Sequence, residues 1–299
     1  MIDLCLLYYD NHVILRNWFH RLAFHSDFQQ FEKYCNIYIA DTGTPLDKIE
    51  ESLNVCNSQP QWLKDRIIYV RAETEEIRKQ VPLEMDARPL CHVKNLIALD
   101  ISQADVILTS MIGHIFTPKY FNGHFVEHIK DPKAVVLPKR FDLFSDTYHS
   151  DGFKLPFSEV IKGDVRGSGG LPDMSVRRKW LIECGGSDEW YKAISCDDMD
   201  LNSRLTGKCD NNMPSEILYP EKGPFNNLGL NFVQPFRDDF FSLTCNTYPE
   251  HRDKNDSRRQ LGYELSIKHY LENWGIIYRN LNRKLLYYKI LNFRKNNDS

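Results

Sequence analysis

The sequence predicts an α/β fold built on a mostly parallel, doubly wound sheet. Three observations carry that prediction. Short apolar runs alternate with helix-length amphipathic stretches over the first hundred residues, the runs are rich in β-branched and aromatic residues, and three of them end in turn-forming or polar residues. Ile2–Tyr9 is long enough for a buried strand, and His12–Phe24 then spaces Val13, Leu15, Trp18, Phe19 and Leu22 as a helix. Cys35–Ala40 is a second strand that runs into Asp41-Thr42-Gly43-Thr44-Pro45, a strong turn signal. Leu46–Leu53 reads as a helix, Arg66–Arg71 as a strand, Val93–Ile101 as a helix and Asp105–Met111 as a fourth strand. The middle third, Lys119–Pro172, carries short apolar runs such as Ala134–Leu137, broken by Pro, Gly and charge, and reads as more sheet with a loop over the site. From Ser257 onward the chain reads as helical, with a basic, aromatic finish over Asn280–Asn296. Ligands of such sheets bind where the loops gather beyond the carboxyl ends of the strands. Here those ends are Tyr8-Tyr9-Asp10-Asn11, Asp41-Thr42-Gly43-Thr44 and Ser110–His114.

Composition narrows the function. The 299 residues include 38 basic and 41 acidic side chains, a net charge of −3. That balance argues against a chain whose main task is to coat phosphate backbones, although a local basic patch stays compatible with it. The eight cysteines form no C-x-x-C pair, so zinc-ribbon and thioredoxin-like readings have no support. They read as reduced thiols of an intracellular protein, with disulfides left open by the even count. No apolar run approaches about 18 residues, so no integral membrane segment is expected. The first apolar run holds Asp3 and lacks a basic leader, which reads as a strand and not as a signal peptide.

The richest stretch is Gly167–Leu205, GSGGLPDMSVRRKWLIECGGSDEWYKAISCDDMDLNSRL. A glycine-rich turn (Gly167, Gly169, Gly170) lets backbone approach a ligand closely. A helix start with Arg177 and Arg178 follows, then Gly185-Gly186-Ser187-Asp188-Glu189, then Cys196-Asp197-Asp198-Met199-Asp200 opening a helix that ends near Arg204-Leu205. Asp197 and Asp198 have two readings: they can simply favour the positive end of a helix dipole, or one can act as a general base. Trp190 likewise reads either as a packed side chain or as an apolar face for a sugar ring.

Gly-Gly-Ser-Asp-Glu followed by Cys-Asp-Asp-Met-Asp-Leu-Asn-Ser-Arg-Leu resembles the G-G-x-D-E … [ED]-D-x-D-L-x-x-R-L signature of GT-A glycosyltransferases, family 2 in particular, and the similar stretch of β-1,4-galactosyltransferases. Leu6–Asp10 resembles the family's opening strand, Asp41-Thr42-Gly43-Thr44 its D-x-G-S, and Lys94-Asn95 the R-N pair before its fourth strand. The resemblance implies a GT-A core over residues 1–215, with a C-terminal extension of loop and helices over 216–299. It implies a nucleotide-sugar donor as co-substrate and a hydroxyl acceptor, with an inverting displacement in which Asp198 is the base and Asp197 stands beside it. Tyr9, Asp41 and Asn95 would hold the donor nucleotide. Gly169, Gly170, Asp188, Glu189 and Trp190 would meet the donor sugar or the acceptor.

One part of the pattern is missing. Most GT-A enzymes end the fourth strand in D-x-D, which binds Mn²⁺ or Mg²⁺ against the donor diphosphate. Aligned on Pro118, those aspartates become Met111 and Gly113; shifted by one, they become Ile112 and His114. Hard cations want oxygen ligands. The diphosphate is then met by lysine and arginine side chains, by a cation on His114 with other ligands, or catalysis is lost. Pro249–Asn255 resembles the H-x-R-D-K-x-N stretch of β-1,4-galactosyltransferases with one residue fewer, making His251, Arg252 and Lys254 candidates for metal or diphosphate, with Arg177 and Arg178 as further cations. His12, His20, His25, His92, His124, His128 and His149 show no ligand spacing and read as surface or satisfied core residues. The acceptor stays open between a glycan, a lipid-linked sugar and a hydroxylated nucleobase. The expected location is cytoplasmic, with Asn280–Asn296 either lying on a membrane surface or packing on the core. Two other functions compete: a GT-A-fold nucleotidyltransferase, disfavoured because no glycine-rich basic loop follows the first strand, and a non-catalytic sugar- or nucleotide-binding protein.

Overall fold

The strand Ile2–Tyr8 (β1) lies at the middle of the molecule, and its sequence IDLCLLY explains why. A strand covered on both faces needs apolar side chains at nearly every position. Ile2, Leu4, Leu6 and Tyr8 enter one core, while Cys5 and Leu7 enter the core on the opposite face. The exception, Asp3, is buried and accepts hydrogen bonds from the Asn36 backbone and side-chain amides and from Ser102 Oγ at 2.6 Å.

A computed structural model of the chain describes residues 1–72, 89–144, 157–160, 164–167, 173–191, 196–209, 213–235, 239–245, 257–277 and 288–293. Eight strands form the central sheet. β1 is flanked by β2 (Cys35–Asp41) and β4 (Val106–Met111), and β3 (Ile67–Ala72) lies beyond β2, all parallel. On the far side of β4, β9 (Met174–Arg177) runs antiparallel between β4 and β6 (Ala134–Val136), and β10 (Asn231–Val233) pairs in parallel with β6. A second, four-stranded sheet follows the order β5 (His114–Phe116), β11 (Phe241–Cys245), β7 (Lys139–Phe144) and β8 (Asp164–Gly167).

Helices cover both faces of the central sheet. On one face lie α1 (His12–Phe24), α2 (Ile49–Asn57) and α4 (Tyr120–Lys130), which contribute Trp18, Phe19, Val55 and Phe121 to the core. The Asn11 side chain caps α1 by accepting the Ile14 N–H at 2.9 Å. On the other face lie α3 (Leu90–Asn95, passing into a π-helical turn over Leu96–Ile101), α5 (Arg178–Cys184) and α6 (Asp197–Thr206), contributing Val93, Ile97, Leu181 and Leu201. A last helix, α7 (Ser257–Glu272), packs through Tyr270 against Cys209 and Phe225. Among the described residues no helix is long and apolar enough to cross a membrane.

The predicted α/β architecture is the observed one, and the register sets its working edge. Tyr8 pairs with Asp41 and Leu7 with Met111, so β1, β2 and β4 end at one level. Strands from either side of residue 215 share the central sheet, since β10 and β12 (Tyr288–Asn292) both join it. The C-terminal stretch differs from the helical reading. Ser257–Glu272 is a helix, but Tyr288–Asn292 is an edge strand antiparallel to β3. The reason lies in its period: in Tyr288-Lys289-Ile290-Leu291-Asn292-Phe293, Leu291 and Phe293 recur every second residue, and both pack on the core.

Candidate active site

Two loops are stitched together where β1 and β2 end. The Thr42 N–H and Oγ1 both bond the Tyr8 carbonyl at 2.9 Å, and the Asp10 N–H donates to Thr44 Oγ1 at 3.0 Å. Asp41 is fully buried beneath them. One of its oxygens accepts the Gly43 and Thr44 N–H groups at 3.0 and 2.8 Å; the other accepts Tyr69 OH and Arg71 Nη1, both at 2.8 Å. Both oxygens are engaged by the protein itself, so Asp41 shapes the loop. Tyr9 stands half-buried just past β1.

The helix α3 organises the rest of the site through residues one turn apart. Asn95 clips the Gly185–Glu189 turn: its Oδ1 accepts the Ser187 N–H at 2.8 Å, and its Nδ2 donates to the Ser187 carbonyl at 2.7 Å and to Glu189 Oε1 at 3.0 Å. A side chain at Gly186 would collide with this clip, since a Cβ there would sit 2.2 Å from Asn95 Oδ1, and the backbone φ of +73° already favours glycine. His92 lies 3.6 Å from the other oxygen of Glu189. The neighbouring Lys94 makes a short ion pair with Asp197 at the start of α6. Burial works against the Lys94 charge, but Asp197, helped by Cys91 and Asp198, holds the ammonium above its ordinary range. Asp197 is therefore a buried counter-ion, while Asp198 is half-exposed, with its Oδ1 accepting the Met199 N–H at 2.8 Å. Cys196, which precedes them, is a non-glycine residue in the left-handed region at φ 59°.

The remaining acid of the signature is structural. Asp200 and Arg204, one helical turn apart, form a fully buried ion pair, and the guanidinium also donates to the Cys184 carbonyl at 3.0 Å. That contact ties α6 to the end of α5.

Asp188 faces a partner that sequence reading missed. Its Oδ2 bonds His269 Nε2 of α7 at 2.8 Å, and its Oδ1 accepts the Trp190 N–H at 2.9 Å. The Trp190 ring lies flat on the imidazole, 3.9 Å between centroids and 3° between planes. Nothing in the spacing of α7 marks His269, because its partner is 81 residues away in the chain.

The candidates for metal and diphosphate fare differently. Met111 ends β4 with 40% of its surface exposed, and the space around Gly113 is open. A thioether and a missing side chain do not fit Mn²⁺ or Mg²⁺, which take oxygen ligands. Among the described residues no group of three or more His, Cys, Asp or Glu side chains converges to hold a metal. His114 is sealed inside, its Nδ1 bonded to Asp173 at 2.8 Å. Arg177 and Arg178 are corrected outright. Arg177 pairs with Val106 at the start of β4 and donates to the His128 carbonyl, and Arg178 binds the Ala98 and Leu99 carbonyls at 2.8 Å. Because β9 runs antiparallel to β4, both arginines reach the edge opposite the loops. Gly169, Gly170, His251, Arg252 and Lys254 lie outside the described residues.

Compared with protein-family models and with curated protein sequences, the chain matches none. Solved structures do resemble it. A mannosyltransferase from Pyrobaculum calidifontis, PcManGT, in complex with GDP-Man and Mn²⁺, aligns with a TM-score of 0.51 at 10% identity, over 84% of this chain and 58% of that one. S. aureus TarS 1–349 in complex with UDP aligns with a TM-score of 0.45 at 9% identity, over 82% and 60% of the two chains. GalNAc-T7 with UDP, GalNAc and Mn²⁺ gives 0.43 at 9% identity, over 69% and 40%. This chain thus spans a little over half the length of the mannosyltransferase, and it has the GT-A fold.

Proposed function

We propose that the protein is a nucleotide-sugar-dependent glycosyltransferase that transfers by inverting displacement, with Asp198 as the general base. The observation that carries this reading is the division of labour at the start of α6: Asp197 is buried in an ion pair with Lys94, while Asp198 beside it is half-exposed at a helix N-terminus, where negative charge is favoured. In the reaction an acceptor hydroxyl oxygen bonds the anomeric carbon. Its proton passes to Asp198, and the bond from that carbon to the phosphate oxygen breaks, its electron pair leaving with the nucleoside diphosphate. Tyr9 and the loop shaped by Asp41 bind the nucleotide, with Asn95 acting by holding the Ser187–Glu189 turn. Asp188, Glu189 and Trp190 meet the donor sugar and the acceptor, a role we also assign to Gly169 and Gly170. For the charge that develops on the diphosphate, Arg252 and Lys254 are the residues we assign, with His251 as a further candidate.

The fold likeness to a mannosyltransferase supports the donor class. A second reading, a sugar- or nucleotide-binding protein without catalysis, draws on Met111 and Gly113 standing where the family's metal carboxylates would be. Incubating the chain with UDP-, GDP- and dTDP-sugars, with EDTA or with added Mn²⁺, separates the two. Release of nucleoside diphosphate supports the transferase, whereas tight binding of UDP or GDP without turnover of any donor sinks it in favour of the binding protein.

A further inference from the structure

Resting on the glycosyltransferase reading, we infer that α7 completes the acceptor subsite, that His269 is its positioning residue, and that the acceptor group lodged there is a sugar ring. Trp190 is 42% exposed, although its neighbours Glu189 and Tyr191 are half-buried and buried. One face of its indole is backed by the His269 imidazole, and Tyr191, which is buried, meets that imidazole edge-on at 5.2 Å and 90°. Asp188 grips the assembly from below, taking the Trp190 N–H on one oxygen and His269 Nε2 on the other. Asn273 Nδ2 lies 3.2 Å from His269 Nδ1. An amide nitrogen can only donate, so Nδ1 accepts and the ring proton sits on Nε2, aimed at Asp188.

The helix itself is pinned by the next residue. Tyr270 OH lies 3.1 Å from Ser203 Oγ on α6 and 3.4 Å from Cys209 Sγ, and its ring packs on Phe225 and Trp274. Adjacent residues therefore anchor α7 to α6 and deliver the imidazole to the Asp188 turn. Asn95 clips that turn to α3, one residue from the Lys94 that pairs with Asp197, so the indole is tied to the helix that places the base. A flat aromatic face beside carboxylates suits one class of group well. A pyranose ring packs its C–H face on the indole and offers its hydroxyls to acceptors such as Glu189.

The test uses the whole chain, its best nucleotide-sugar donor and a panel of p-nitrophenyl glycosides as acceptors. His269→Ala is expected to raise the acceptor KM by about tenfold or more while the donor KM stays within about twofold, and His269→Gln, whose amide can donate to Asp188, recovers to within about threefold of wild type. Trp190→Leu should reproduce the acceptor KM shift, with the double variant no worse than the worse single one. Trp190 is exposed, so if His269→Ala fails to fold, Trp190→Leu carries the test by the same thresholds. Acceptor and donor KM moving together, neither moving, or additive losses in the double variant would overturn the inference. A wild type that turns over donors while the variants leave the acceptor KM alone sinks this inference only. A wild type that neither turns over a nucleotide sugar nor binds UDP or GDP sinks the glycosyltransferase reading and this one with it.

Discussion

His269 bonded to Asp188 and His114 bonded to Asp173 are both histidine–carboxylate pairs at 2.8 Å, made through Nε2 in the first and Nδ1 in the second. The first lies beside the exposed Trp190, in a turn that also carries Glu189. The second is sealed, and next to it His124 and His128 share the Ser175 hydroxyl at 2.7 and 2.8 Å. Burial drives those two imidazoles down to about 3 and about 4, so they are neutral. Burial pushes Asp173 up, but His114 together with the Ser110 and Ser242 hydroxyls more than offsets it and holds the carboxyl at about 2. A histidine–carboxylate pair is therefore no mark of a site. The two pairs differ modestly in access to water: the side chains of His269 and Asp188 keep 13% and 9% of their surface, those of His114 and Asp173 1% and 2%.

The comparison is broken most decisively by rates. Asp198→Asn should cut transfer by about 10²–10⁴ while leaving nucleotide affinity nearly intact, whereas Asp173→Asn should leave kcat/KM within about threefold. Steady-state kinetics with the best donor, beside calorimetry with UDP or GDP, reads both, and the opposite ranking would move the chemistry to the sealed cluster. Stability comes next. Asp197→Ala leaves Lys94 buried without its counter-ion and should cost about 3–5 kcal/mol in urea unfolding, although Asp197 sits beside the base.

The sealed cluster should also declare itself through pH. For His124 and His128 the folded pKa lies below the ordinary 6.5, so their contribution to stability is complete above that value and is lost as pH falls through about 4 and about 3. Each group contributes a slope of about 1.4 kcal/mol per pH unit within its window. Asp173 acts lower: its contribution is present above the ordinary 3.8 and lost as pH falls through about 2. Asp27, raised to about 6 mainly by burial, runs the other way, since its contribution is complete below 3.8 and lost as pH rises through 6. Thermal melts from pH 7 to 4 should therefore fall, and His128→Gln should flatten them. The smallest effect is at Cys196, whose left-handed backbone costs about 1 kcal/mol that glycine would recover. Cys196→Gly should raise the unfolding midpoint slightly, and a drop in transfer rate alongside it would show that the strained residue aims Asp198.

Much of the fold was legible in the sequence because its strands are buried on both faces and therefore unbroken. His12–Phe24 was read to the residue, and Cys35–Ala40 and Asp105–Met111 each fell within one residue of the observed strand. Met174–Arg177 escaped because four residues leading straight into a helix leave no period to detect. The site was legible only where a motif is contiguous. Asp197, Asp198, Asp188, Glu189 and His114 could be picked out, but not the contacts of Asp197 with Lys94, of Asp188 with His269 and of His114 with Asp173. Those partners lie 103, 81 and 59 residues away in the chain, and local spacing carries no trace of them.

The place of β1 at the centre has a consequence for how the chain is made. Its register puts Ile2 beside Cys35 on one edge and beside Val106 on the other. The first neighbour follows within a few dozen residues, the second only after about a hundred. At about 5–20 residues per second, the ribosome leaves the second edge of β1 uncovered for roughly 4–14 s after its first neighbour could already have docked. During that interval an almost wholly apolar strand offers a bare row of backbone donors and acceptors to any similar strand nearby. Soluble yield should accordingly depend on what shields the nascent chain, and chaperone supply or slower synthesis at low temperature should change it more than the stability of the finished protein would suggest.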